Sequence, residues 1–139
     1  MAIHTSPLGA AVAKVGDRWA LLLIEALLTG PRRFGELQSA LPAIAPNVLS
    51  QRLKHLEREG VVVARAYSEH PPRFAYTLSG AGEELAGALL LLTSWGAQHA
   101  SEAEVPAHRT CGTGLQARWY CPTCEQTVHD TEADELRYA

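Results

Sequence analysis

The sequence predicts a mainly α-helical α+β domain, closed by one small β-hairpin and followed by a short cysteine-bearing tail. Three observations predict it. A cationic amphipathic helix begins at Ala45-Pro46-Asn47 and ends at Glu59-Gly60. Two β-prone segments, Val61–Ala66 and Arg73–Leu78, follow at once around a tip with Pro71-Pro72. All three cysteines fall within the fourteen residues from Cys111 to Cys124. The expected division is residues 1–103 for the helical domain and 104–139 for the tail.

The helix after Ala45 follows from spacing. Leu49, Leu53 and Leu56 recur at i, i+4 and i+7 and form one apolar stripe. Pro46 suits the first turn, where its missing N–H is not needed. Gly60 suits the C-terminal stop. Asn47, Gln51, Lys54 and Arg58 lie opposite the leucines, with Ser50 and His55 flanking them. Arg52 falls nearer the apolar edge, as a structural or phosphate-anchoring arginine. Amides, a hydroxyl and cations in this arrangement can read base edges and phosphates. The same face can equally be the solvated side of an ordinary packed helix.

The segments after Gly60 read as a hairpin. Phe74, Tyr76 and Leu78 alternate with Arg73, Ala75 and Thr77, the period of a half-buried strand. Val61 and Val63 alternate likewise on the partner strand. The stretch Tyr67–Pro72 is polar and longer than a two-residue turn. Arg73, at its base, can reach a phosphate or a minor groove.

Two more helices precede these elements. Asp17 is the expected N-cap of a helix over Arg18–Thr29, which Gly30-Pro31 ends. Trp19, Leu22, Leu23, Ala26 and Leu27 supply its buried side. A short helix follows around Gly35–Ala40, then a turn through Leu41–Ile44. The order helix, helix, turn, helix, hairpin is that of a winged helix-turn-helix, which places one helix in a DNA major groove and a hairpin beside it. The expected DNA contacts are Arg32, Arg33, Asn47, Ser50, Gln51, Lys54, Arg58 and Arg73.

Four ordered motifs carry a family resemblance. They are Gly16-Asp17-Arg18-Trp19, Gly30–Leu37, Ile44–Leu53 and Tyr76-Thr77-Leu78-Ser79 with Gly82. Over roughly residues 6–100 the chain resembles the HxlR-type branch of the winged-helix transcription regulators, within the MarR-like superfamily. The resemblance implies a homodimeric regulator of double-stranded DNA, commonly a repressor of a neighbouring gene. Two positions depart from the pattern. Ala45 stands where the family usually has Ser or Thr, so the recognition helix lacks a side-chain cap, worth about 1 kcal/mol. Ser6-Pro7 stands where many members carry Cys-Pro, so an N-terminal thiol switch does not carry over.

Charge supports this division of labour. The chain has a net charge of −3. Residues 31–73 hold seven Lys or Arg against four acids, a local +3, whereas residues 74–107 hold four acids and no Lys or Arg. Few phosphates can be neutralised per chain, so a dimer would double the footprint. The stretch Glu83–Ala100 supports a dimer too. Leu85, Leu89, Leu92, Gly96 and His99 recur at helical spacing, while Leu90, Leu91 and Trp95 lie on other faces. A helix apolar nearly all round is buried on more than one side, with Leu8–Val15 against it. The apolar stretch is short of the roughly 20 residues of a membrane span. Met1–Ala10 lacks the basic start and apolar run of a leader, so a cytoplasmic protein is expected. An effector pocket between the core and the dimer helices is conceivable, but no residue identifies it.

The tail reads His108-x2-Cys111-x9-Cys121-x2-Cys124. A C-x2-C knuckle presents two thiolates to one metal, and H-x2-C can form the opposing half. The four donors make a Cys3His set suited to structural tetrahedral Zn²⁺ in a ribbon-like tail. Gly112 and Gly114 can supply turns after the first knuckle. His129 is the main rival to His108 as fourth ligand, and His99 a weaker one. A disulfide is the structural alternative, but three cysteines leave one unpaired and a cytoplasmic regulator keeps them reduced, so the remaining readings are three free thiols or a redox switch in which Cys121 and Cys124 cycle. Some HxlR-like regulators resemble this chain in carrying a cysteine-bearing extension. Trp119 and Tyr120 are expected to form the small core of the tail. Three thiolates and an imidazole close the zinc site to water, so hydrolytic catalysis is not expected. No nucleophile motif or phosphate loop is present, so the chain is not expected to be an enzyme. The competing class is an interaction module that uses the hairpin domain and tail to bind protein.

Overall fold

The computed structural model describes residues 6–131. Along the chain the elements are α1 (Pro7–Val15), α2 (Arg18–Leu27), β1 (Arg32–Arg33), α3 (Phe34–Ala40), α4 (Pro46–Arg58), β2 (Val62–Glu69), β3 (Pro72–Leu78), α5 (Gly80–Glu83), α6 (Ala86–His99), β4 (Trp119–Cys121) and β5 (Gln126–Val128). They form two compact units, one ending at Leu89 and one beginning at Leu90. The first unit is an α+β winged helix-turn-helix.

Its core is built from α2, α3, α4 and the sheet. Leu23, Ile24, Leu37, Ile44, Leu49, Leu53 and Leu56 are its fully buried large side chains. The stripe expected on α4 is therefore its buried face, and each such leucine contributes about 2 kcal/mol. On α2 the buried set is Ala20, Leu23, Ile24 and Leu27. Leu22, expected in it, is only half-buried. Ile24, two residues on and about 200° round the helix, is buried instead.

Caps start the helices. Asp17 accepts from Trp19 N at 2.9 Å and Ala20 N at 3.2 Å, as expected of an N-cap. Ser6 caps α1, its Oγ accepting from Gly9 N at 3.0 Å. The hydroxyl at this position is thus a helix cap. Ala45 precedes α4 without any side-chain cap. Glu36 Oε1 accepts from the Arg33 N–H at 3.0 Å at the start of α3. Arginine has no acceptor to return the favour, so the box there is half of one.

The end of α4 is knotted to the hairpin. Gly60 N bonds to Glu57 O at 3.0 Å and Val61 N to Leu56 O at 2.9 Å, with Gly60 left-handed at φ 74°. This is a Schellman stop, and glycine takes its left-handed residue without strain. Ser79 Oγ then donates to Gly60 O at 2.6 Å and accepts from Gly82 N at 3.1 Å. Ser79 N also donates to Val61 O at 2.9 Å.

The sheet has the order β1-β3-β2 and is antiparallel throughout. β1 pairs Arg32 with Tyr76 and Arg33 with Ala75. The wing strands run further than the sequence suggested. Ser68 pairs with Arg73 and Glu69 with Pro72, leaving only His70-Pro71 as the turn. A bulge between Ala66 and Ser68 absorbs Tyr67 and resets the register. Pro72 is the first residue of its strand, where a missing donor is tolerated.

In α6, Leu89 alone joins the core, whereas Leu90, Leu91, Leu92 and Trp95 are exposed, Trp95 at 61%. On α1, Leu8 and Val12 are likewise exposed and only Val15 is buried. Among the described residues no helix is long and apolar enough to cross a membrane.

A Cβ on Gly82 would run into the Val61 carbonyl oxygen and the Leu78 side chain. Gly82→Ala is therefore expected to destabilise the protein by about 2–3 kcal/mol in urea unfolding. Gly87, in α6, has open space around its Cα. Gly87→Ala should stabilise by about 0.5–1 kcal/mol, which separates the clash from a general effect of alanine.

Candidate nucleic-acid interface and cysteine knuckles

The solvent face of α4 follows directly from its buried stripe. With Leu49, Leu53 and Leu56 inward, Asn47, Gln51, Lys54 and Arg58 are exposed and Ser50 is half-buried. Among the described residues, none of these four exposed side chains is held by a hydrogen bond or ion pair. They form an uncommitted row of amides and cations along three turns of helix.

The flanks of α4 are committed. Arg52 NH1 lies 3.8 Å from Asp17 Oδ2, so this arginine ties α4 to the cap of α2. The structural role suggested for Arg52 is the one the geometry supports. His55 Nε2 lies 2.9 Å from Lys14 O, and Lys14 Nζ lies 3.4 Å from Glu59 Oε2. His55, placed by sequence beside the reading face, is thus a tether to the end of α1. Glu57 is exposed on α4 and acts on Tyr76 of β3 through its charge. Burial raises the Tyr76 phenol above its ordinary value, and the Glu57 carboxylate adds to the effect.

Of the other expected contacts, Arg73 is exposed on β3. Arg32 is half-buried and donates to Thr29 Oγ1 at 2.9 Å. Arg33 is exposed, with its guanidinium carbon 4.5 Å from the centroid of the Tyr67 ring. Two residues escaped the sequence reading here, Arg65 and Tyr67. The bulge that places Tyr67 beside arginines leaves no trace in the alternation pattern.

The tail consists of two similar turns. In the first, Gly112 N bonds to His108 O at 2.7 Å and His108 N to Thr113 O at 2.8 Å. His108 Nδ1 approaches Cys111 Sγ at 3.3 Å. Gly112 is left-handed at φ 74°. In the second, Cys121 and Cys124 flank the turn between β4 and β5, and Glu125 is left-handed at φ 54°. Each knuckle therefore ends on a left-handed residue one position after its last donor.

Hydrogen bonds set the thiol acidities. Thr113, through its side chain and backbone, and then His108 lower the Cys111 thiol to about 7. Backbone N–H groups of Cys124 and Thr123 lower Cys121, whereas its neighbour Cys121 raises Cys124. Such sulfurs have the donor chemistry that zinc takes. The structure brings together His108 with Cys111, and Cys121 with Cys124. Among the described residues, no three His, Cys, Asp or Glu groups lie close enough to share an ion. His129 and His99 join neither pair, and His99 instead stacks on Trp95, with ring centroids 5.1 Å apart.

Trp119 and Tyr120 do not form the expected core, being 52% and 60% exposed. Two three-residue strands make a single layer, and among the described residues Trp119 and Tyr120 on it stay exposed. With Cys121, Cys124 and Val128 they line an open concavity of about 460 Å³.

The comparisons agree with this geometry. A model of the HxlR-like helix-turn-helix family matches residues 14–104. The chain belongs to that family. It is a transcriptional regulator with a helix-turn-helix, as its relatives are. It is 36% identical over 124 residues to Rv3095, an HTH-type transcriptional regulator of Mycobacterium tuberculosis, covering 86% of this chain and 78% of that one. The solved structure of the redox regulator HypR in its oxidized form is 27% identical, with a TM-score of 0.64 over 68% of this chain and 98% of HypR. That of the transcription factor PA1374 of Pseudomonas aeruginosa is 30% identical, with a TM-score of 0.67 over 88% of this chain and 85% of PA1374. The shares matched to Rv3095 and PA1374 exceed what residues 1–104 could supply. These likenesses therefore run into the knuckle region.

Glu125 provides a test of the second knuckle. A left-handed non-glycine residue is strained by about 1 kcal/mol. Glu125→Gly should slow amide exchange in β4 and β5 by about fivefold, measured by hydrogen exchange. Unchanged or faster exchange would contradict the left-handed turn.

Proposed function

We propose that this chain is a homodimeric repressor that occupies a palindromic operator, with a structural zinc ion in its tail. The carrying observation is the uncommitted row Asn47, Gln51, Lys54 and Arg58 on a helix whose other sides are anchored. Lys54 and Arg58 supply phosphate or guanine contacts, and Asn47 and Gln51 supply the bidentate geometry that suits adenine. Two such helices, one per subunit, would enter successive major grooves about 34 Å apart. Occupation of the operator then blocks polymerase.

The dimer rests on exposed apolar side chains. Leu8 and Val12 on α1, and Leu90, Leu91, Leu92 and Trp95 on α6, are left to water in a single chain. Surfaces of this kind are normally covered. A second copy of the same two helices covers them without any further partner.

Zinc rests on the donor set. His108 with Cys111 is one bidentate half, and Cys121 with Cys124 is the other. Closing both halves on one ion would supply most of the folding free energy of a tail with almost no core. The thiolates and imidazole would hold the ion, and the knuckle N–H groups would hold the sulfurs. A second reading, oxidant sensing at this centre, is favoured by the exposure of Cys111 and Cys124.

Fluorescence anisotropy against a duplex from upstream of the protein's own gene tests the main reading. Tight binding to that duplex alone, at two chains per duplex and with a steep salt dependence, is expected. Equal weak binding to a scrambled duplex would overturn it. Gln51→Ala should relax sequence preference by about 1–3 kcal/mol, while Lys54→Ala should weaken all duplexes and reduce the salt slope by about one. For the tail, native mass spectrometry should find one zinc per chain. Cys124→Ser should lose it, and a metal-free wild type would refute the site.

A further inference from the structure

The tail presents its zinc donors as two separate halves, and the chain between them keeps its direction. The first knuckle, His108 to Cys111, is the tip of a short antiparallel ladder. Ala107 pairs with Gly114, His108 N donates to Thr113 O at 2.8 Å, and Leu115 N donates to Pro106 O at 2.8 Å. The second knuckle, Cys121 to Cys124, is the tip of the β4–β5 hairpin. The chain leaves the first tip along residues 113–115 and reaches the second along β4. Residues 115–118, between them, carry no turn or bend. Arg118 NH2 donates to Gln116 Oε1 at 2.6 Å, the same-side contact that residues i and i+2 make in extended chain. A strand that leaves one tip and does not reverse puts the next tip at its far end.

Sulfurs bound to one zinc lie about 2.3 Å from it, and so about 4 Å from each other. Closure within a single chain therefore needs a reversal at residues 115–118. A second copy needs none. The second knuckle has room for it, because Trp119, Tyr120, Cys121 and Cys124 line an open concavity of about 460 Å³. Cys111 and Cys124 are both exposed. Charge is complementary too. Arg109 lies in the first knuckle and Glu125 follows the second, both exposed and, among the described residues, outside any ion pair. The knuckles also share a compact unit with Leu90, Leu91, Leu92 and Trp95 of α6, whose exposed side chains carry the dimer reading. Pairing two α6 helices about a two-fold axis brings two tails to that axis.

We propose that zinc is held between chains, each Cys3His site being completed by His108 and Cys111 of one protomer with Cys121 and Cys124 of the partner subunit. This rests on the zinc reading of the tail and names its partner, a second copy of this chain. A two-fold dimer holds two such sites, still one ion per chain. The partner's tail supplies the layer that Trp119 and Tyr120 lack in a single chain. Metal bonds then link the subunits in addition to helix packing, so zinc binding and dimerisation strengthen each other.

The test co-expresses full-length Cys111→Ser and Cys124→Ser chains with different affinity tags. The doubly tagged heterodimer is weighed by native mass spectrometry beside both homodimers, at a chelator concentration that strips the homodimers. In each homodimer every interchain site lacks one sulfur. In the heterodimer one site lacks two sulfurs and the other keeps all four donors, so one zinc is expected there. Closure within a chain would leave every site one sulfur short in all three species, and a heterodimer as empty as the homodimers would overturn the proposal. If the wild type still held zinc, the structural zinc reading would survive that result, whereas a zinc-free wild type would sink both. The unmodified protein gives an independent check. Chelation should raise its dimer dissociation constant by about tenfold or more in sedimentation equilibrium, reversed by added zinc. A dissociation constant indifferent to zinc would equally overturn the interchain site.

Discussion

The structure depends on the junction at Gly60. Helix α4 must stop there, reverse its backbone and feed β2 without losing its register against the core. The Schellman bonds from Gly60 and Val61 stop the helix, and the Ser79 hydroxyl clamps the Gly60 carbonyl from the far end of the hairpin. Gly82 packs so close to Val61 that no side chain fits. One small cluster therefore sets the angle between a helix and a hairpin that meet the same duplex in the proposed complex. Each hydrogen bond there contributes only about 1 kcal/mol net, so its importance lies in direction more than in stability.

Polar tethers then hold α4 on its other sides. Asp17 caps α2 and faces Arg52, while Lys14 offers its carbonyl to His55 and its ammonium to Glu59. These contacts are partly exposed, and each is weak. Their placement matters more. They connect the end of α1, whose Leu8 and Val12 are exposed, to the back of α4. In the proposed dimer, subunit packing on α1 would thus bear on the presentation of the reading face. The net negative charge of the chain is no obstacle, since seven of its twelve Lys and Arg lie between residues 31 and 73.

Much of this was legible in the sequence, for physical reasons. The leucine stripe, the Asp17 cap, the Gly60 stop and the uncapped Ala45 are local effects that one turn of chain encodes. The strand period of Phe74–Leu78 is equally local. What escaped detection is non-local or short. β1 has two residues, too few for any periodicity, yet it aligns Arg33 with the wing. The bulge at Tyr67 lengthens both wing strands and cuts the tip to His70-Pro71, and nothing in the alternation announces it. His55 flanked the reading face by spacing until α1 was packed beside it, and only the packing of α2 decides between the structural and phosphate-anchoring roles that spacing left open for Arg52. In the tail, the two donor pairs are local and visible in the spacing, but the burial expected of Trp119 and Tyr120 needed a second layer that two short strands do not provide.

The central claim is that the exposed row of α4 reads bases in a major groove. Methylation interference on the upstream duplex tests it most directly, because guanine N7 lines the major groove and adenine N3 the minor groove. The account predicts that N7 methylation at guanines within two half-sites, about one helical turn apart, abolishes binding. Interference confined to adenine N3, or to no base at all, would contradict it.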